Sequence, residues 1–260
     1  MDISHNLQYW LEDKANKTLE WIPSDTLENF EKKLAKDPND QNMQYYLENP
    51  IRYKMNNMGF RTAVDFVDGV EGNLFLGCSH TMGIGHYLRN IWAWKLNEYI
   101  GGNFLNAGVG GSGIGTAFRL LYGLKGMIRP KNVFLFTPHG YRYEYFNPDL
   151  KAWTTLQTTR LLARSELFRT ASAKNNMEIY YYLNYIGIKD ICESIGANLY
   201  AIDDIDFKVL KTHKGDIPQT ARDYHLPVAN HHRIFERFKQ AYDNNEPPSS
   251  KRLAFAYSVI

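Results

Sequence analysis

From residue 73 onward the chain alternates short apolar runs with longer amphipathic stretches, whereas residues 1 to 60 are polar and rich in Asn, Asp and Lys. In that first part "SDTLENFEKKLAK" carries a helical signal. Ser24 or Asp25 is the candidate N-cap, and Leu27, Phe30 and Leu34 recur at helical spacing behind it. The pattern predicts a helical extension over residues 1 to 60 rather than a separate core. Four apolar runs then read as strands: "NLFLG", "NFLNAG", "NVFLFTP" and "ANLYAID". Between and after them, "HYLRNIWAWKLNEYI" brings Leu88, Ile91, Trp92, Leu96 and Tyr99 to one helical face, and "GTAFRLLYGLKGMI" reads as a second helix. Further helices are expected at roughly 154 to 173 and 177 to 195, and "ANHHRIFERFKQAYD" closes the series with Ile234, Phe235, Phe238 and Tyr242.

Alternation of strand and helix predicts a parallel sheet covered on both faces. The expected class is therefore α/β, a flavodoxin-like three-layer α/β/α sandwich with a central parallel sheet plus the N-terminal helical extension. The α/β domain is expected over residues 61 to 243, followed by a tail over 244 to 260. In that tail Leu253, Phe255, Tyr257 and Val259 alternate, the pattern of an edge strand or of a segment that docks on a neighbour. The extension and the tail are thus the expected surfaces for an oligomer.

Composition narrows the function classes. With 260 residues, 44% of them hydrophobic and 22% charged, the chain has ordinary globular composition. Its net charge of +2 is too balanced for a protein that lives by neutralising phosphates, so no nucleic-acid partner is expected. Cys78 and Cys192 stand far apart, which excludes a disulfide framework or a cysteine-built zinc site. His231 and His232 are adjacent rather than four apart, so no metal is expected either. No window approaches about 18 uninterrupted apolar residues, and "MDISHNLQYWLEDKANK" lacks the basic start and apolar block of a secretory signal. A soluble cytoplasmic protein without a membrane partner is the expectation.

Two glycine-rich turns carry the candidate chemistry, because ligands of open parallel sheets bind at the carboxyl ends of the strands. In "NLFLGCSHTMGIG", either Cys78 or Ser79 is a candidate nucleophile. "NAGVGGSGIGT" contains G-x-G-x-x-G at Gly108, Gly110 and Gly113, which makes dinucleotide binding a competing reading. That fingerprint also needs an acidic residue about 20 positions on, at the end of the next strand, and "FLFTPHGYRYEYF" offers nothing acidic before Glu144. Neither turn has the G-x-S-x-G of a nucleophile elbow.

Taken together the turns resemble the SGNH or GDSL-like hydrolase superfamily. "LFLGCSHTMG" follows its first block at Gly77, Ser79, Thr81 and Gly83, with Cys78 where the family usually has Asp. "NAGVGGSG" matches the second block at Asn106 and Gly111, and "ARDYHLPVANHH" offers Asp223 and His225 for the last. The resemblance implies a serine esterase or deacylase acting on a small-molecule ester without a cofactor, and the many tyrosines and tryptophans make a carbohydrate ester one candidate substrate. Ser79 would be the nucleophile, His225 its base and Asp223 the orienting acid, with the N–H groups of Ser79 and Gly111 as oxyanion donors. Two departures stand out. Only Tyr224 separates Asp223 from His225, one residue fewer than the family has. The family's Gly-x-Asn-Asp block is replaced by "TPHGYRYE", in which His139, the Gly140 backbone or Arg142 are the alternatives for a third donor. These departures motivate a second expectation, an SGNH-like domain of little activity that binds or scaffolds. His231 and His232 are fallback bases.

Overall fold

The computed structural model describes residues 12–21, 27–138, 142–149, 152–157, 174–203, 226 and 228–246. A four-stranded parallel sheet is its centre, formed by β3 (Val70–Gly77), β4 (Phe104–Asn106), β5 (Ile128–Thr137) and β8 (Asn198–Asp203) in the order β4-β3-β5-β8. Strand periodicity sends successive side chains to opposite faces. Leu74, Leu76, Leu105, Val133, Leu135 and Ala201 therefore meet α5 (Ile114–Leu124) and α6 (Lys174–Ser194) on one side. Phe75, Phe104, Phe134, Phe136, Tyr200 and Ile202 meet α4 (Trp92–Ile100) and α7 (Val228–Asp243) on the other. This is a three-layer α/β/α arrangement, as the strand-helix alternation predicts.

The two faces are packed differently. The strands present aliphatic side chains to the α5/α6 side, while the α4/α7 side is an aromatic stack in which Trp92 lies parallel to Phe238 at 4.5 Å between ring centroids and Phe75 lies on Phe134 at 5.2 Å. An asparagine ladder that runs from the start of β8 through the middle of β5 and β3 ties the sheet together. Asn198 Nδ2 donates to Asn132 Oδ1, Asn132 Nδ2 to Asn73 Oδ1, and Asn73 Nδ2 to Asn97 Oδ1. These amides satisfy one another where burial would otherwise penalise them.

The N-terminal region contains the expected helix, α1 (Leu27–Lys36), and also α2 (Gln41–Glu48) and a small antiparallel sheet of β1 (Thr18–Glu20) with β2 (Arg52–Lys54). Phe60 and Phe66 are buried in the same cluster as Leu74 and Leu105. Two other expectations need correction. The single helix expected from residue 86 to 100 is broken: a 3-10 turn spans Leu88–Asn90, Ile91 is extended at φ −84° and ψ 145°, and α4 starts at Trp92. Ile91 is fully buried and its side chain seats on Gly83, so packing overrides its helical period. The helix expected from 154 to 173 does not begin as one. Residues Ala152–Gln157 are β7, paired antiparallel with β6 (Arg142–Asn147), and 158–173 lie outside the described residues. The β-branched pair Thr154 and Thr155 suits a strand, and Glu144 of β6 is pinned by a buried ion pair to α5.

Candidate active site

The carboxyl edge of the sheet is lined by the last residues of its four strands: Gly77, Asn106, Thr137 and Asp203. β3 leaves the sheet through a turn that only glycine permits. Gly77 has φ +149°, and a β-carbon there would overlap Thr81 Oγ1 and the Phe136 carbonyl. Cys78 follows as the N-cap of the four-residue helix α3 (Ser79–Met82), but its side chain makes no capping hydrogen bond. Ser79, the first helical residue, is 7% exposed. Its hydroxyl meets one described group, Cys78 Sγ at 4.0 Å, so it is not consumed in capping the helix.

The turn after β4 is built onto this one. Asn106 is fully buried and works twice, accepting from Gly108 N–H at 2.9 Å and donating to the Thr81 carbonyl at 3.3 Å. Val109 N–H and Ser112 Oγ both donate to the Gly77 carbonyl. A β-carbon at Gly108 would press on Met82 N at 2.6 Å, so the two turns touch backbone to backbone. Gly111 differs from its neighbours: it has φ +77°, and the space where a side chain would stand is open. Among the described residues, neither the Ser79 N–H nor the Gly111 N–H donates to a protein acceptor. Two main-chain donors thus remain available on turns that are locked together.

Beside this pair stands the β6–β7 hairpin. Arg119 of α5 holds Glu144 of β6 bidentately, Nε to Oε2 at 2.9 Å and Nη2 to Oε1 at 2.7 Å, with side chains 6% and 3% exposed. Arg142, two residues earlier on β6, donates from Nη1 to the Ser112 carbonyl at 3.1 Å and packs its backbone on Gly113. The sulfur of Cys78 records these surroundings. Burial pushes the thiol up, but the charge and hydrogen bonds of His80, with the charge of Arg142, more than offset this and bring it down to about 6. Cys192 shows the opposite case, pushed up to about 12 by burial and by the charge of Glu193.

Of the sequence-predicted site residues, Ser79 and Gly111 come to this edge on adjoining turns. Asp223, His225, His139 and Gly140 lie outside the described residues. His231 is buried in α7, where its Nδ1 accepts the Trp92 N–H at 3.3 Å and its ring stands 4.7 Å from that of His86. His232 points the other way and is exposed, the divergence expected of adjacent helical residues. His86 in turn bonds the Leu226 carbonyl at 2.7 Å, which seats the chain immediately after His225 against the loop that follows α3. Sequence reasoning missed Asp203. It is fully buried at the end of β8, accepting from Thr137 Oγ1 at 3.1 Å and Tyr181 hydroxyl at 3.5 Å. Its signal was present as an acidic residue closing an apolar strand. Among the described residues no three His, Cys, Asp or Glu side chains group as a metal site, and no helix is long and apolar enough to cross a membrane.

Comparison with known proteins adds little to this geometry. No family model matches the chain, and no curated protein matches it. Among solved structures, the crystal structure of TesA overlaps 65% of this chain and 96% of its own, at 14% identity and a TM-score of 0.34. An overlap that low assigns neither a family nor an activity.

Proposed function

We propose that this protein is a serine hydrolase of SGNH type, cleaving an ester or acetyl group of a small-molecule or carbohydrate substrate through an acyl-enzyme. The observation that carries the reading is the pair of N–H groups, Ser79 and Gly111, unengaged among the described residues, on two turns held together through the Gly77 carbonyl beside a Ser79 hydroxyl whose one described partner is Cys78 Sγ. Donors of that kind stabilise a developing oxyanion, and each is worth about 100- to 1,000-fold in turnover. In this mechanism Ser79 Oγ attacks the carbonyl carbon. His225 takes its proton and returns it to the leaving alcohol, and Asp223 holds the imidazole in the working tautomer. Water then repeats the sequence on the acyl-enzyme. The glycine turn supports acyl transfer better than dinucleotide binding. At Gly110, the glycine where the fingerprint needs room for a pyrophosphate, a β-carbon would meet Ile84 Cδ1 at 2.8 Å, so this position accommodates protein instead.

The test is labelling with a fluorophosphonate and turnover of 4-nitrophenyl acetate. Wild type is expected to do both, and Ser79→Ala neither. Equal labelling and turnover by the two proteins would refute the assignment. A binding or scaffolding role is the second reading, favoured by the replaced Gly-x-Asn-Asp block and by the single residue between Asp223 and His225. Turnover that depends on both Ser79 and His225 would eliminate it.

A further inference from the structure

We propose that Arg142 is the specificity-determining residue of this site and selects substrates carrying a negatively charged group next to the scissile ester. The inference rests on the hydrolase reading and adds the substrate class. It begins with a charge count. Two guanidinium groups, Arg119 and Arg142, share the hairpin edge with one carboxylate, Glu144. Both Glu144 oxygens are occupied by Arg119. Arg142 forms no ion pair among the described residues, and the one hydrogen bond of its guanidinium there goes to a neutral acceptor, the Ser112 carbonyl. A half-buried cation held by a single neutral hydrogen bond keeps several donors for a ligand, in the planar fork that suits a carboxylate or phosphate.

Position makes the count specific to this site. Ser112, which holds Arg142, adjoins Gly111, one of the two unengaged main-chain donors, and its hydroxyl bonds the Gly77 carbonyl in the nucleophile turn. The field of Arg142 reaches that turn, since it helps to lower the Cys78 thiol. Spare donors on an arginine beside the two main-chain donors are what a site for an anionic substrate needs, and a neutral ester would leave them without a charged acceptor.

The test uses two matched substrate pairs, because the charged group could lie on either side of the ester. 4-Nitrophenyl hemisuccinate against 4-nitrophenyl butyrate probes the acyl side, and 4-acetoxybenzoate against phenyl acetate probes the alcohol side. Wild type is expected to favour the charged member of one pair by about 10-fold or more in kcat/KM, carried by KM. Arg142→Gln should abolish that preference and Arg142→Lys should keep part of it. Calorimetric titration with succinate and with 4-hydroxybenzoate reads the anion site without turnover. Binding by wild type that Arg142→Gln loses supports the proposal even if no ester is hydrolysed, in which case the hydrolase reading alone fails. Equal kcat/KM for charged and neutral members in wild type overturns the proposal. A fall in kcat for both members alike in Arg142→Gln also overturns it, because the residue would then serve the oxyanion. So does the absence of anion binding by wild type. Circular dichroism melting of each variant confirms that it is folded.

Discussion

The hairpin that carries Arg142 is anchored through Glu144, and replacing Glu144 by Gln is a sharp test of that anchorage. The substitution preserves shape and removes charge. In the wild type both carboxylate oxygens accept charged N–H donors at 2.9 and 2.7 Å, and the pair is almost withdrawn from water. Gln can accept at one of these positions but turns an amide N–H₂ toward the other, so a donor faces a donor beside a buried cation. Breaking a buried pair from one side costs about 3–5 kcal/mol. The buried Arg119 Nη1 has no hydrogen-bond partner and so offers no compensation, although the guanidinium also lies 4.8 Å from the centre of the Trp153 ring. For a chain of this size each kcal/mol lowers the melting temperature by about 2–4 °C, so Glu144→Gln should melt roughly 10 °C below wild type. Differential scanning calorimetry and urea unfolding measure the loss. The double variant Arg119→Met/Glu144→Leu, which removes both charges, should recover most of it, since an apolar pair of similar volume is often neutral. A Glu144→Gln protein melting within about 2 °C of wild type would refute the claim that this pair anchors the hairpin.

Gly77→Ala should disturb both chemistry and stability. A β-carbon there overlaps Thr81 Oγ1 and the Phe136 carbonyl at φ +149°, and we expect several kcal/mol of destabilisation by urea titration together with loss of fluorophosphonate labelling. Cys78 should titrate near pH 6 by thiolate absorbance at 240 nm, while Cys192, pushed up to about 12, stays silent through neutrality. Arg142→Gln should move the Cys78 titration upward. The sign for stability follows from linkage. The folded thiol releases its proton near 6 and the unfolded one near 9, so this contribution is complete above pH 9 and lost as pH falls through about 6, at no more than about 1.4 kcal/mol per pH unit. Wild type and Cys78→Ala should therefore differ in their stability slopes between pH 6 and 9, and parallel slopes would contradict the assignment.

Much of the architecture is legible in the chain itself. Four apolar runs became the four strands of the central sheet because a strand buried on both faces needs no polar alternation to declare itself. Within them the period of two already separates Leu74, Leu76, Val133 and Leu135 from Phe75, Phe134 and Phe136, and so the aliphatic face from the aromatic one. The glycines beside Ser79 and Asn106 were equally readable, since turns that leave a strand at positive φ or press backbone on backbone admit little else.

What only tertiary structure decided lies where distant segments meet. Ile91 has helical spacing, yet its contact with Gly83 holds it extended and splits the expected helix. Glu144 stands in a run without a strong strand period, and β6 is tied down by an arginine 25 residues away in sequence. Asp203 and Thr137 become partners only because β8 lies beside β5. Cys78 is the clearest case. Its identity is local, but its ionisation depends on burial, on His80 and on Arg142 arriving from a separate hairpin. Periodicity and turn chemistry are properties of neighbouring residues and can be read along the chain. Charge balance is a sum over space, and only the folded chain sets which charges enter it.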